Sequence, residues 1–396
     1  MGQGDERVLR VLAADDSAVM RSVIGTVFEL HGRAPQIGLP AMELCGVVRD
    51  GIEALEAVTR LRPDVLLLDL EMPRLGGIGV LERLRKQMPE LPVIMCSAHT
   101  ERGARSTLEA MAHGAKDYVM KPGQQTDFAA ALDLLMQQLL PKIAASATGR
   151  SDWRSAGAGR DVPAREMAFE RGVGKFEVVV IGVSTGGPSA LEAMLPLLPA
   201  TFAAPVLIVQ HMPKLFTGAL AVRLARVCGM PVREAQGGES VLPGTIWLAP
   251  GDAHMEVANR FIGVRAGGKA VLRLHQGANL NGCKPAADYL FQSAAKVFGE
   301  GTLAVVMTGM GSDGLEGARA VRQAGGTVFA QNKASSAVWG MPGRVAQAGL
   351  ADEVLPLSEL AGALMERTGV AGAFETRNGV ALPSLTGRGE VRHGLL

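Results

Sequence analysis

The order of apolar and polar positions along the chain predicts two α/β units, each built on a parallel sheet. Short apolar runs alternate with stretches in which apolar residues recur every three or four positions, as expected for buried strands joined by helices. A prominent run, at residues 178–181, stops abruptly in a glycine-rich turn before helical spacing begins. The strand-like runs cover residues 8–13, 65–68, 93–96 and 118–120 in the first unit, and 178–181, 205–210 and 302–308 in the second.

Composition narrows the class of protein. The 396 residues are 47% hydrophobic, which is enough for two or three domains with their own cores. A formal net charge of +1 and an aromatic content of only 4% argue against a nucleic-acid or anionic-membrane partner. No apolar run is long enough to cross a bilayer, and acidic residues stand where a signal peptide would be basic and then apolar. The four cysteines are scattered without C-x-x-C spacing, as expected for a protein of the reducing cytoplasm. Together with the lack of a long apolar run, this predicts a cytoplasmic protein without direct membrane insertion.

Polar residues of the first unit collect where its strand-like runs end. Asp15 and Asp16 follow the first run, and Asp69 follows the second. Because the carboxyl ends of parallel strands share one edge of the sheet, these carboxylates should converge and require a hard divalent cation such as Mg²⁺. Ser97 and Lys121 follow the next two runs. With the metal and the lysine neutralising charge, Asp69 could accept a phosphoryl group.

The segments LAADDSAVMR, LLLDLEMP, VIMCSAHT and AKDYVMKP resemble the receiver domain of response regulators, over roughly residues 7 to 125. The resemblance implies that a histidine kinase phosphorylates Asp69. Residues 74–77 depart from the family pattern, since they read Arg-Leu-Gly-Gly where an aspartate-glycine pair is usual, and the connection at residues 31–43 is unusually long. The resemblance assigns the metal site to Asp15 and Asp16 and the phosphoryl-sensing switch to Ser97, Lys121 and the aromatic Tyr118.

The second unit opens with a candidate nucleophile. Gly182-Val183-Ser184-Thr185-Gly186 fits the G-x-S-x-G pattern of a serine held on a tight strand-to-helix turn. The N-terminus of the following helix would favour a developing oxyanion. On its own, the stretch is better explained as a phosphate-binding loop or an ordinary turn, so a nucleophile requires a base and an acid elsewhere.

His211 and Asp313 supply those two groups, because each falls just past a strand-like run at the same predicted edge of the sheet. A histidine can take the serine proton and return it to the leaving group, while a carboxylate fixes the tautomer and stabilises the imidazolium. The backbone N–H of Met310, in a glycine-rich turn, could bind the oxyanion. His254, expected in a loop, is the main competing base, and His275 in a strand-like run is a weaker one.

Six ordered segments make the second unit similar to the catalytic domain of the chemotaxis protein-glutamate methylesterases: IGVSTGGPSAL, VQHMPKLFTGALAVRL, WLAPGDAHMEV, DYLFQSAA, MTGMGSDGLEGA and SSAVWGMPGRVAQAG. The resemblance implies a cofactor-independent esterase that hydrolyses glutamate γ-methyl esters on chemoreceptors, releases methanol and deamidates receptor glutamines. It also implies that the unphosphorylated receiver covers the active site. It assigns Ser184 as nucleophile, His211 as base, Asp313 as orienting carboxylate, and Thr185 and Met310 as supporting and oxyanion groups.

Two other functional classes stay open at this point. A receiver joined to a degenerate hydrolase could dock without turnover, although all three triad positions are filled. A nucleotide-binding domain could use residues 182–188 as a phosphate loop, although that stretch lacks the endings and spacing of the known nucleotide motifs.

The expected organisation has four parts, which follow the changes in composition. A flavodoxin-like receiver domain occupies residues 7–140, and an alanine-, glycine- and serine-rich linker occupies 141–174. Trp153 and residues 167–169 are the only anchors in that linker. A doubly wound, mostly parallel α/β catalytic domain follows at 175–368, and a disordered tail at 369–396.

Overall fold

A five-stranded parallel sheet with strand order β2-β1-β3-β4-β5 forms the first unit. The computed structural model describes residues 7–36, 39–123, 127–155, 176–259 and 270–368. Helices cover both faces of the sheet, so its central strands are buried on both sides and consist of apolar β-branched and leucine-rich runs. The elements are β1 Leu9–Ala14, α1 Ala18–Arg33, β2 Met42–Val48, α2 Gly51–Leu61, β3 Val65–Asp69, α3 Gly77–Gln87, β4 Val93–Ser97, α4 Glu101–Ala112, β5 Asp117–Met120 and α5 Phe128–Ser155.

Helix α5 continues past residue 140, the predicted end of the receiver domain. The helix continues through Pro141 to Ser155, and Ile143, Ala144 and Ala147 are buried in the same hydrophobic cluster as α1. The abundant alanines of this stretch favour a helix, so its composition is not that of a flexible joint. Trp153 lies within α5, whereas the remainder of the predicted linker, including residues 167–169, and the predicted tail lie outside the described residues.

The long connection at residues 31–43 is held by a buried histidine. The ring nitrogen Nε2 of His31 lies 3.0 Å from the carbonyl oxygen of Pro40, and Nδ1 faces the backbone N–H of Gln36 at 3.5 Å. His31 is fully buried at the end of α1. The second strand, β2, starts at Met42, within the last two residues of this stretch.

A seven-stranded sheet with the order β14-β13-β12-β6-β7-β9-β8 forms the second unit, and every strand pairing in it is parallel. The antiparallel pair β10-β11 packs beside it. The expected α/β class with a flavodoxin-like receiver and a mostly parallel catalytic domain is confirmed. The elements are β6 Val178–Val183, α6 Gly187–Met194, β7 Val206–Gln210, α7 Lys214–Val227, β8 Val232–Glu234, β9 Ile246–Leu248, β10 His254–Asn259, β11 Ala270–His275, α8 Ala287–Phe298, β12 Thr302–Val306, α9 Leu315–Gln323, β13 Thr327–Gln331, α10 Met341–Gln347, β14 Glu353–Leu355 and α11 Leu357–Thr368.

The two units pack together through one face of the receiver. Helix α4 lies against α7 and α6, and the hydrophobic cluster that runs through the receiver continues into the second unit. This contact places the receiver beside the strand ends that carry the candidate active site. Within the described ranges, no helix is both long and apolar enough to cross a membrane.

Candidate active site

Ser184 lies immediately after β6, on the turn that leads into α6. Its carbonyl oxygen accepts hydrogen bonds from the Gly187 N–H at 2.8 Å and from the Gln210 side-chain amide at 3.0 Å. Gly186 precedes the helix with φ of 78°, and a Cβ there would lie 2.5 Å from the Cβ of Ala337. Both the conformation and the space therefore require glycine. The turn places the N-terminus of α6 behind Ser184.

A second loop closes tightly over the same serine. The Ser184 N–H donates to the carbonyl oxygen of Thr308 at 3.0 Å. A Cβ on Gly309 would lie 2.7 Å from the Cβ of Ser184 and 2.5 Å from the sulfur of Met341, so the loop can approach only through a glycine. The next residue, Met310, is 39% exposed, and its backbone N–H makes no hydrogen bond within the described parts of the chain. That N–H is free to bind an oxyanion.

His211 occupies the corresponding position on the neighbouring strand. Val183 of β6 pairs with Gln210 of β7, so Ser184 and His211 are the next residues along two adjacent parallel strands. Such strands lie about 4.8 Å apart. The backbone N–H of His211 donates to the carbonyl oxygen of Val183 at 3.1 Å, which continues the ladder to the strand ends.

The imidazole of His211 contacts the predicted acid. Nε2 lies 2.7 Å from the Oδ2 atom of Asp313, which assigns the proton to Nε2 and leaves a lone pair on Nδ1. Nδ1 lies 3.5 Å from the sulfur of Cys283. Among the described contacts, none is a hydrogen bond from the Ser184 hydroxyl. In the structure, His211 contacts Asp313 directly, and Ser184 lies at the end of the strand next to that of His211.

Asp313 is buried and receives four hydrogen bonds. Oδ2 also accepts from the Ala287 N–H at 2.6 Å, while Oδ1 accepts from the Asp288 N–H and the Asn281 amide, each at 3.2 Å. Burial alone would raise the pKa of Asp313, but His211 and these backbone N–H groups outweigh it and hold the pKa below its ordinary value.

The contact between His211 and Asp313 shifts the pKa of the histidine in the opposite direction, upward. Burial alone would lower the pKa of His211, but its hydrogen bonds to Asp313 and Cys283 outweigh burial and raise the pKa. An imidazolium at this position is therefore stabilised, as a base requires once it has accepted a proton.

His254 is not a loop residue, contrary to the expectation from the sequence. It is the first residue of β10, is fully buried, and pairs with His275 of β11. Its Nε2 lies 3.0 Å from the carbonyl oxygen of Ala278, and its Nδ1 accepts from the Ala286 N–H at 3.2 Å. Burial lowers the pKa of His254, so it is a neutral histidine with both ring nitrogens engaged. That arrangement makes it a structural residue.

The receiver reaches the candidate active site through Asp117 of β5. The Thr185 hydroxyl, next to the candidate nucleophile, donates to the Oδ2 atom of Asp117 at 2.8 Å. Lys142 of α5 holds the other carboxylate oxygen at 2.9 Å and the Tyr118 carbonyl at 2.7 Å. The Asp117 carboxylate, which accepts the hydrogen bond from Thr185, is therefore held in position by Lys142 of the receiver.

Tyr118 supplies the second main contact. Its ring stacks on Phe216 of α7 with the ring centroids 4.6 Å apart and the planes 7° from parallel. Tyr118 is 7% exposed and Phe216 is fully buried. The residue predicted as the switch aromatic is thus inserted between the domains, and the helix it contacts starts three residues after His211.

The predicted phosphoryl-accepting residues converge at the other end of the receiver sheet. Ligand oxygens of Asp15, Asp16 and Asp69 lie within 4.8 Å of one another. Lys121 Nζ lies 2.7 Å from Asp69 Oδ2 and 2.9 Å from Asp15 Oδ2. Burial raises the pKa of Asp69 to about 6, against the opposing effect of Lys121. The Ser97 hydroxyl is buried nearby and accepts from the Thr107 hydroxyl at 2.6 Å.

Several residues of the two sites were not found from the sequence. Asp117 and Phe216 belong to an interface between domains, which no local pattern marks. The Asn-Gly dipeptide at 281–282 signals a tight turn, but gives no sign that the turn touches the Asp313 carboxylate. The contacts that sequence reasoning missed are made by Asn281, Cys283, Asp288, Asp117 and Phe216.

Comparison with known proteins gives two family matches. The family described as CheB methylesterase matches residues 179–364, and the response regulator receiver domain matches residues 11–133. The protein-glutamate methylesterase/protein-glutamine glutaminase of Trichodesmium erythraeum is 41% identical over 367 residues, which cover 91% of this chain and 99% of that protein. The protein of the same name from Thermotoga maritima is 38% identical over 371 residues, with the same coverage of 91% and 99%.

Among solved structures, the crystal structure of the Thermotoga maritima CheB methylesterase catalytic domain is 41% identical in sequence. The match covers 49% of this chain and 99% of that chain, with a TM-score of 0.46.

Proposed function

The chain belongs to the CheB methylesterase family, and from this premise we propose that it is a phosphorylation-activated serine hydrolase acting on chemoreceptors. Its substrates are the γ-methyl esters of receptor glutamates, from which it releases methanol, and specific receptor glutamines, which it deamidates. The observation that supports this most strongly is the 2.7 Å contact between His211 and Asp313 beside the turn that carries Ser184.

The proposed chemistry starts with a proton transfer. Nδ1 of His211 removes the hydroxyl proton of Ser184, and the serine oxygen attacks the ester carbonyl carbon. The Met310 N–H binds the oxyanion, while Asp313 stabilises the imidazolium. His211 then gives the proton to the departing methoxide, or to the departing amine in deamidation, and the acyl-enzyme remains. Water, activated by the same histidine, then hydrolyses the acyl-enzyme, which leaves a glutamate side chain on the receptor and regenerates the Ser184 hydroxyl.

Control of this chemistry is proposed to run through Asp69. A chemotaxis histidine kinase is the expected phosphodonor. The carboxylates of Asp15, Asp16 and Asp69 fit Mg²⁺, because they present clustered hard oxygen donors, and a bound Mg²⁺ would neutralise the negative charge of the phosphoryl group. We place the reaction in the cytoplasm, where such kinases and the receptor methylation sites are found.

Phosphorylation of Asp69 is proposed to open the interface between the domains. Ser97 and Lys121 would turn toward the phosphoryl oxygens on Asp69, so that Lys121, which directly follows β5, leaves its present contact with Asp15. Tyr118 and Asp117 lie on the same strand. Their movement would end the stacking on Phe216 and release the Thr185 hydroxyl to the active site.

The receiver limit that fits this proposal differs from the one expected from composition. The receiver extends through α5 at least to Ala147, the last residue of its buried cluster, while the catalytic domain keeps its expected limits of 175–368.

Methanol release from methylated receptor membranes tests the catalytic assignment. The phosphorylated intact protein should release methanol, and Ser184→Ala should abolish release. The control is Ser312→Ala, which removes an exposed hydroxyl from the loop next to Asp313 and should leave the rate unchanged. Methanol release that survives Ser184→Ala would refute the nucleophile. Failure of the intact, phosphorylated protein to release methanol would favour a docking module.

A further inference from the structure

A short turn between β11 and α8 approaches the catalytic pair from the solvent side. Leu280 and Cys283 exchange two backbone hydrogen bonds, of 3.1 and 2.9 Å, around the dipeptide Asn281-Gly282. Asn281 and Gly282 have φ values of 54° and 77°, the positive values that a two-residue hairpin turn of this kind needs. Asparagine and glycine are the residues that adopt this backbone most readily. The turn is thus a locally determined structure that holds its side chains in fixed directions.

The Asn281 amide donates to two different carboxylates. Its Nδ2 atom lies 2.9 Å from the Oδ2 atom of Asp288 and 3.2 Å from the Oδ1 atom of Asp313. An amide nitrogen carries two protons, so both hydrogen bonds can form at once. Asn281 itself is exposed, whereas Asp288 and Asp313 are 3% and 2% exposed. The amide therefore closes the open side of a buried pair of acids.

Asp288 is a second acid behind the catalytic one. Its Oδ1 atom accepts from the Gly317 N–H at 2.6 Å, in the first turn of α9, and its own N–H donates to Asp313. Burial raises the pKa of Asp288 to about 6, and the charge of Asp313 adds to the effect. Two carboxylates this close repel each other unless a donor lies between them.

We propose that Asn281 is a positioning residue for the esterase reaction. Asp288 holds the Asn281 side chain in place, so that the Asn281 amide fixes the Asp313 carboxylate against His211. The inference rests on the proposed function. Asn281 supplies the fourth donor to Asp313, beside His211 and the two backbone N–H groups. Without it, Oδ1 loses one of its two partners and the repulsion from Asp288 is no longer bridged. His211 is then less well oriented as the base, whereas substrate binding is unchanged.

An exchange of the two side chains separates this role from a structural one. In the double variant Asn281→Asp/Asp288→Asn, the amide at 288 can donate to the carboxylate at 281, so the contact between these positions is restored. The carboxylate at 281 then faces Asp313 without a donor, so the contact with the catalytic acid is not restored. The melting temperature should return close to the wild-type value, while kcat stays about tenfold or more below it and KM stays within about twofold.

The pH profile provides a second readout. In the single variant Asn281→Asp, the new carboxylate adds negative charge beside Asp313, which stabilises the imidazolium of His211. The groups facing this pair are Asp288 from α8 and Cys283 from the turn. The uncharged base then forms at a higher pH, so the acidic limb of the kcat/KM profile should move upward. A purely structural role would leave this limb in place.

Asn281→Gly completes the set, because glycine keeps the left-handed backbone and removes only the amide. The phosphorylated intact enzyme should again lose kcat by about tenfold with KM unchanged. Asn259→Asp at the exposed end of β10 adds the same charge far from the turn and serves as the control. Wild-type kcat in Asn281→Gly or in the exchanged pair, or an unmoved acidic limb in the single variant Asn281→Asp, would overturn the proposal. A wild-type protein that releases no methanol would instead refute the proposed function.

Discussion

The stacked pair Tyr118 and Phe216 should determine how inactive the unphosphorylated enzyme is. Stacked aromatic pairs contribute about 0.5–1.5 kcal/mol beyond their burial, and about 1.4 kcal/mol changes an equilibrium tenfold. Tyr118→Leu keeps an apolar side chain in the interface and removes the stacking. If the docked receiver blocks the site, this variant should raise the undocked fraction, and hence the basal rate, about twofold to tenfold.

The assay is methanol release from methylated receptor membranes in an Asp69→Ala background, where the receiver cannot be phosphorylated at its acceptor. The other tyrosine of the chain gives a matched control: Tyr289→Leu removes a ring that packs against His254 and His275, away from the receiver. A basal rate that does not rise in Tyr118→Leu, with the melting temperature unchanged, would show that the stacked pair does not hold the receiver over the site. An equal rise in Tyr289→Leu would do so as well.

Three further predictions concern the receiver contact, the phosphoryl site and the loop that closes over Ser184. Asp117→Ala should also raise the basal rate, because it removes the carboxylate that accepts from the Thr185 hydroxyl. Lys142→Met should raise the rate less, since it only loosens that carboxylate. Equal effects of the two variants would contradict a direct role of the Asp117 contact. Asp69 attacks a phosphodonor only when ionised, and its pKa is raised to about 6. Its initial phosphorylation rate should therefore fall as the pH drops through that value and be about tenfold lower at pH 5 than at pH 7.5, whereas a flat profile would argue against a buried acceptor. Gly309→Ala should abolish methanol release while the receiver is still phosphorylated normally, because the new methyl group would lie 2.7 Å from the Cβ of Ser184; wild-type release would show that the loop can yield.

The strands and the catalytic candidates could be predicted because a parallel sheet encodes them locally. Buried strands require continuous apolar runs, and ligand-binding side chains follow their carboxyl ends. The sequence predicts Ser184 and His211 just past strand ends on one edge of the sheet. The pairing of Val183 with Gln210 makes those two strands neighbours. The same reasoning also located Asp313 in the loop after β12, although the assignment of the three as a triad stays a prediction.

Contacts that depend on packing could not be predicted in this way. His254 was expected in a loop because the turn before it is rich in glycine and proline, yet the chain enters β10 at that residue and buries the ring. The end of the receiver was expected at residue 140, but burial of Ile143 and Ala147 against α1 extends α5. The hydrogen bond between Thr185 and Asp117 joins residues 68 positions apart in different domains, so no local pattern encodes it.

Phosphorylation of Asp69 should expose the serine esterase, and a comparison of four samples measures this effect. Methanol release from methylated receptor membranes should be measured for the intact protein and for Asp69→Ala, each with and without a small-molecule phosphodonor and Mg²⁺. We expect a low rate that rises with the phosphodonor in the wild-type protein and stays low in Asp69→Ala. A rate that is the same in all four samples would contradict this expectation.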